Sequence, residues 1–210
     1  MKIMNLKSLI MAAIIMASAA LAGCCDKKQD ESCEKQCCNA KIALENIATR
    51  VSVRSYLDKA VEKEKVELLL RAGMAAPTAM NRQPWHFVVV DEPELLKGLV
   101  RLRNGATAPL AIVVCGNMDK AIEGPVREFW VQDCSAATEN ILLAANALGL
   151  GSVWTGVYPA EERCKQVREI LDMPDNLIPL NVIVIGYPDG ENPPKDKWKE
   201  ENISWNSFVK

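Results

Sequence analysis

Apolar and polar positions change period several times along the chain, and each change marks an element. Residues 41–48, "KIALENIA", place Ile42, Ala43, Leu44 and Ile47 at mixed helical spacing and predict a short helix. Residues 62–75, "EKEKVELLLRAGMA", begin with charges and then set Val66, Leu69, Leu70 and Met74 on one side, as an amphipathic helix does. "WHFVVVD", residues 85–91, is aromatic and β-branched and reads as a buried strand. A helix over residues 92–103 follows, with Pro93 in its first turn, and "LAIVVCG", residues 110–116, reads as a second buried strand.

The longest helical pattern covers residues 126–148 and is almost all small or aliphatic, so burial on most sides is expected. Ala136, Ala137, Ala144 and Ala145 allow neighbours to come close, and Gly149 ends the pattern. A strand over 152–157, a helix over 160–171 and a fourth strand in "PLNVIVIGYP" complete the core. The tail, residues 189–210, is polar, yet Trp198, Trp205 and Phe208 make it too aromatic for plain disorder. Strands separated by helices suggest, by themselves, a doubly wound parallel sheet. No strand is followed by a GxGxxG or GxxxxGK[ST] turn, which excludes a nucleotide site of the Rossmann or P-loop type.

Length and charge narrow the picture. The chain has 210 residues and a formal net charge of −2, which fits one domain with short additions and offers no basic face for nucleic acid. Two lysines precede the apolar run "SLIMAAIIMASAA", residues 8–20, which is too short to span a bilayer and matches the core of an export signal. "LAGC" at residues 21–24 resembles the bacterial lipobox. Residues 1–23 are therefore expected to be a lipoprotein signal peptide. Lipid on Cys24 would anchor the mature chain to a membrane, facing the periplasm or the cell exterior.

Residues 24–40 form a cysteine-rich polar tether. Five of the eight cysteines (Cys24, Cys25, Cys33, Cys37 and Cys38) lie there. Clustered thiols suit a soft metal, but no histidine joins them and the spacing is not a paired CxxC set, which favours a plain tether and no metal site. Residues 26–40 carry too few apolar groups to fold alone. Cys115, Cys134 and Cys164 sit in apolar runs and read as small core residues.

Candidate chemistry concentrates in three places. In "TRVSVRSY", residues 49–56, Arg50, Ser52 and Arg54 alternate, so an extended backbone turns all three the same way. Two guanidiniums and a hydroxyl suit a phosphate; a solvated polar face of an edge strand has the same pattern. In "APTAMNRQPW", Pro77, Thr78, Asn81 and Gln83 put amides and a hydroxyl on a loop able to bond ring nitrogens and carbonyls. His86, the only histidine, is expected to pack or hold a structural hydrogen bond rather than act as an acid, and Trp85 to belong to the core.

"TRVSVRSY", "AAPTAMNRQPWHFVVV", "GLGSVWTGVYP" and "VIVIGYPDGENPPKDKW" occur in that order over about residues 45–200 and together resemble the FMN-dependent nitroreductase superfamily. The resemblance implies an α+β fold over residues 41–210, with a mainly antiparallel sheet flanked by helices. It also implies a homodimer with FMN at the interface, in place of the parallel sheet. Arg50, Ser52 and Arg54 would hold the flavin phosphate and ribityl chain. Pro77, Thr78, Asn81 and Gln83 would reach FMN, commonly from the partner, and Trp154, Thr155 and Gly156 would lie beside the isoalloxazine ring. Lys195 or Lys197 would return to the phosphate. The implied chemistry is ping-pong: hydride enters at flavin N5 from a reduced donor such as NAD(P)H, then leaves to a nitroaromatic, quinone or similar acceptor. No protein nucleophile is required. An exported enzyme would meet little nicotinamide cofactor, so another donor is an alternative. Other readings are a non-catalytic flavin-binding lipoprotein, or a dehalogenase-type or flavin-destructase-type member, although residues 117–129 are short for the lid those carry.

Overall fold

The computed structural model of the protein describes residues 31–101 and 108–208. The expected export signal of residues 1–23 and Cys24, the expected lipid acceptor, lie outside the described residues. The chain divides into two units, Met1–Ala48 and Thr49–Lys210. Helix α1, Glu31–Thr49, starts well before the short helix expected at 41–48 and takes in much of the polar tether. Its Glu, Lys, Gln and Ala residues are good helix formers and need no core to adopt that backbone. Ile42, Leu44 and Ile47 are exposed on it, as is Cys38.

The second unit contains α2 (Lys63–Met74), β1 (Trp85–Val90), α3 (Pro93–Arg101) and β2 (Leu110–Asn117). They are followed by α4 (Phe129–Ala147), β3 (Gly151–Gly156), α5 (Glu161–Leu171) and β4 (Leu177–Gly186). The four strands form one sheet in the order β1-β2-β4-β3, with every neighbouring pair antiparallel. The fold is α+β, and the parallel arrangement suggested by helix–strand alternation is not adopted. The reason the strands looked parallel is visible in their burial. β2 and β4 are covered on both faces, so they read as continuous apolar runs, as parallel strands do.

Side chains alternate between two cores. On one face Ala111, Val113, Val153, Val182 and Val184 meet Leu96 and Leu99 of α3 and Val167 of α5. On the other, Ile112, Val114, Ile183 and Ile185 meet Leu69 of α2 and Trp130, Ile141 and Ala145 of α4. α4 ends at Gly149, whose φ of +72° suits a residue without Cβ, and Leu150 N–H closes the turn on the Ala145 carbonyl at 2.8 Å.

Two expectations for "WHFVVVD" need correction. β1 is an edge strand with only β2 beside it, so it is half-exposed rather than buried. His86 points to solvent and does not pack, whereas Trp85 is partly buried against the α4-side core as expected. The aromatic tail also stays unpacked: Trp198, Trp205 and Phe208 are 73%, 84% and 84% exposed, with only a short 3-10 turn at Glu200–Asn202. Of the body cysteines, Cys115 and Cys134 are fully buried and Cys164 partly so.

Candidate functional site

The segment after α1 runs alongside β3. Ser52 bridges Ser152 in parallel, and Val53 N–H donates to the Ser152 carbonyl at 3.0 Å. Val53 plugs the core at 3% exposure, and Tyr56, also buried, donates its hydroxyl to the Val53 carbonyl at 2.7 Å. A Cβ on Gly151 would stand 2.7 Å from Val53, so glycine is what lets the segment come this close. With Val53 locked inward between them, Ser52 and Arg54 face outward, while the Arg50 side chain is only 17% exposed. Ser52 and Arg54 are exposed, and Arg54 Nη1 donates to the Ser52 carbonyl at 3.2 Å. Arg50 is steadied from α4, its Nε 3.3 Å from Glu139 Oε1.

β3 continues that edge. Because the Ser152 carbonyl points away from β4 to Val53, the backbone groups of Trp154 and Gly156 point to the same outer side, as strand alternation dictates. Trp154 is 37% exposed, and the space beside Gly156 is open, with nothing within 4 Å of where a Cβ would stand. The Gly156 carbonyl accepts Arg163 Nη1 at 2.9 Å. Thr155 behaves differently. Its backbone is turned to β4 and its side chain shares the sheet face of Val153, where Oγ1 is buried without a hydrogen-bond partner. Beside Gly156 in the register lies Asn181, fully buried, whose Nδ2 donates to Thr138 Oγ1 at 2.8 Å while its Oδ1 has no partner.

The loop before β1 is strained and pinned. Met80, Asn81 and Gln83 all have positive φ, at 51°, 53° and 50°, a region that costs non-glycine residues about 1–3 kcal/mol each. Side-chain bonds help hold it: Ala79 N–H to Asp133 Oδ1 at 2.8 Å, Gln83 N–H to Thr78 Oγ1 at 3.1 Å, and Gln83 Nε2 to Asn81 Oδ1 at 3.3 Å. Pro77, Asn81 and Gln83 are exposed, Thr78 is half-buried, and Pro84 is buried at the entrance to β1. Sequence reasoning missed Asp133. Its signal was a lone carboxylate in step with Trp130, Ala137 and Ile141 on the buried face of α4.

After β4 the chain returns to the arginine segment: Leu57 N–H donates to the Tyr187 carbonyl at 2.9 Å and Asp189 N–H to the Ser55 carbonyl at 3.0 Å. Lys195 and Lys197 follow, both exposed. Nearby, Tyr158 donates its hydroxyl to Glu128 at 3.0 Å, and that carboxylate pushes the phenol's pKa up. Glu139, Arg163 and the buried Asn181 are further residues bonded to or paired with this region that sequence reasoning did not single out.

Residues 47–103 and 96–187 match the model of the Nitroreductase family. The chain belongs to the nitroreductase family. A relative from Archaeoglobus fulgidus, provisionally named NADH dehydrogenase/NAD(P)H nitroreductase, is 49% identical over 152 residues, covering 70% of this chain and 86% of that protein. A solved structure from Parabacteroides distasonis with the same provisional name superposes at a TM-score of 0.75 with 44% identity, covering 80% of this chain and 99% of the other. An FMN-dependent nitroreductase from Clostridium difficile superposes at 0.71 with 32% identity, covering 79% and 99%. The four-stranded antiparallel sheet and its helices are thus the nitroreductase fold.

Proposed function

We propose that this nitroreductase-family chain is an FMN-dependent oxidoreductase that passes two electrons from a reduced nicotinamide donor to a small conjugated acceptor, such as a nitroaromatic or a quinone. The observation that carries the reading is the outer edge of β3. There Ser52 bridges Ser152 with Arg50 and Arg54 two residues to either side, and strand alternation turns the Trp154 and Gly156 N–H groups to the same edge.

The donor set fits FMN. Ser52 and Arg54 offer an exposed hydroxyl and an exposed guanidinium for a phosphate, which arginine grips through paired charge-assisted bonds. The open space at Gly156 admits a flat ring against the backbone. Bound FMN would supply the two-electron chemistry through its N5 position. The protein's part would be to place and polarise: an N–H of Trp154 or Gly156 would donate toward the ring, Arg54 would offset the phosphate charge, Ser52 would hydrogen-bond it, and Arg50 is held by Glu139. Lys195 or Lys197 adds positive charge from the returning tail. Thr155 contributes through its place in the strand, since its side chain lies on the far face.

The working form is a homodimer, with the loop of Pro77, Thr78, Asn81 and Gln83 reaching the flavin of the partner. Exposed apolar side chains support it: Ile42, Leu44 and Ile47 on α1, and Trp198, Trp205 and Phe208 in the tail, are the kind of surface a partner covers. The lipobox-like "LAGC" supports a lipid anchor at Cys24 and a position outside the cytoplasm.

Purified protein is expected to be yellow, to bleach with NAD(P)H or dithionite, and to recolour on addition of a nitro compound or quinone. Colourless protein that takes up no added FMN overturns the reading. Detergent-phase partitioning that survives Cys24→Ser would overturn the anchor alone.

A further inference from the structure

We propose that α1 carries a binding site for a cuprous ion, formed by Cys33 and Cys37. The site is independent of the oxidoreductase reading, whose chemistry leaves the thiols of residues 24–40 unused. In an extended tether the lack of a paired CxxC set counts against a metal, because nothing fixes how far apart the thiols stand. The structure instead makes Glu31–Thr49 one continuous helix, and a helix fixes that distance. Positions 33 and 37 are four apart, so they fall on one face with Cβ atoms about 5–6 Å from each other. Cys38 is an exposed free thiol, but its position lies about 100° around the helix from Cys37.

That separation decides between the two fates of a thiol pair. A disulfide needs Cβ atoms about 3.5–4.5 Å apart, so this pair cannot close without distorting α1. Two thiolates on one ion stand farther apart, up to about twice a metal–sulfur bond of about 2.3 Å, which neighbouring turns of a helix can span. Thiolates select soft ions, Cu(I) and Zn²⁺ foremost. A structural zinc takes four ligands. This face offers two thiols, and the only histidine, His86, lies on β1 in the other unit. A cuprous ion is content with two thiolates in line. Lys41, exposed one turn beyond Cys37, sets an ammonium where it favours the thiolate. Binding exchanges two thiol protons for one Cu(I), and no electron moves.

The test takes the full-length protein in detergent, reduced and kept from oxygen, and titrates it with Cu(I) against the coloured chelator bicinchoninate. One Cu(I) per chain should be withheld from the chelator, and Zn²⁺ should not be retained. Cys33→Ser and Cys37→Ser should each weaken retention about tenfold or more, whereas Cys25→Ser and Cys38→Ser should leave it within about twofold. Gln36→Pro keeps every thiol but breaks the helix between the pair, and should weaken retention as much as losing a cysteine. Flavin content should be the same in all these variants. Retention that survives Cys33→Ser, or that falls equally in Cys38→Ser, overturns the proposal, because the ion then has other ligands. Retention untouched by Gln36→Pro overturns it as well, since the helix would not be what pairs the thiols. So does a wild-type protein that holds no copper against the chelator.

Discussion

Asp133→Ala removes the bond that ties the strained loop to α4. Asp133 is 7% exposed and its Oδ1 accepts the Ala79 N–H at 2.8 Å, a hydrogen bond to a charged group. Such a bond contributes about 1.5–3 kcal/mol. That is the size of the cost of one left-handed non-glycine residue, and Met80, Asn81 and Gln83 are three of them. Losing the anchor should therefore let at least one of the three relax, turning Asn81 and Gln83 away from their present directions. If the loop helps hold the cofactor, the same energy appears as about a tenfold to hundredfold rise in the FMN dissociation constant. Asp133→Asn, which keeps an acceptor oxygen but not the charge, should fall between. Flavin fluorescence titration reads the affinity and urea unfolding reads the stability. Affinity within twofold of wild type, with an unchanged unfolding midpoint, would refute the idea that this carboxylate sets the loop.

Arg54→Ala should release FMN, because a phosphate that loses a charged partner forfeits about 1.5–3 kcal/mol; a gel-filtered variant that stays yellow at normal affinity argues against the phosphate assignment. Gly116→Ala should lower stability by about 1–3 kcal/mol, since its Cβ would press on the indole of Trp130, itself 2% exposed and unable to yield; an unchanged melting temperature refutes this. Burial raises the Cys115 thiol from 9.0 to about 12, and Cys134 moves the same way. Both folded values lie above the unfolded ones, so this contribution to stability is whole below pH 9 and is lost as pH climbs toward 12. The unfolding midpoint should fall across that window, and a thiol reagent at pH 8 should modify exposed Cys38 at once but Cys115 and Cys134 only in denaturant; their prompt reaction in the native protein would contradict the burial.

Much of the site was readable before the fold was known, because its signals are local. Alternation alone predicts Arg50, Ser52 and Arg54 on one side; in the structure Val53 is drawn into the core between Ser52 and Arg54, which stay exposed. The loop of Thr78, Asn81 and Gln83 was visible as polar groups between a helix and a strand. Asp133, Glu139, Arg163 and Asn181 were not. Asp133, Glu139 and Asn181 lie far along the chain from their partners, and a charged residue on a helix looks the same in sequence whether it faces water or bonds a backbone N–H or carbonyl.

What the sequence determined by itself is the set of elements and their order, for burial pattern and turn chemistry act over a few residues at a time. It also contained the family's motifs in their proper succession. Only the tertiary structure decided which way the strands run, that β1 is an edge with His86 in solvent, and that Thr155 turns from the edge its neighbours share. Strands covered on both faces lose the polar alternation that would betray direction or edge. Pairing across long stretches of chain is settled by which surfaces can be buried together, and that is a property of the whole assembled core.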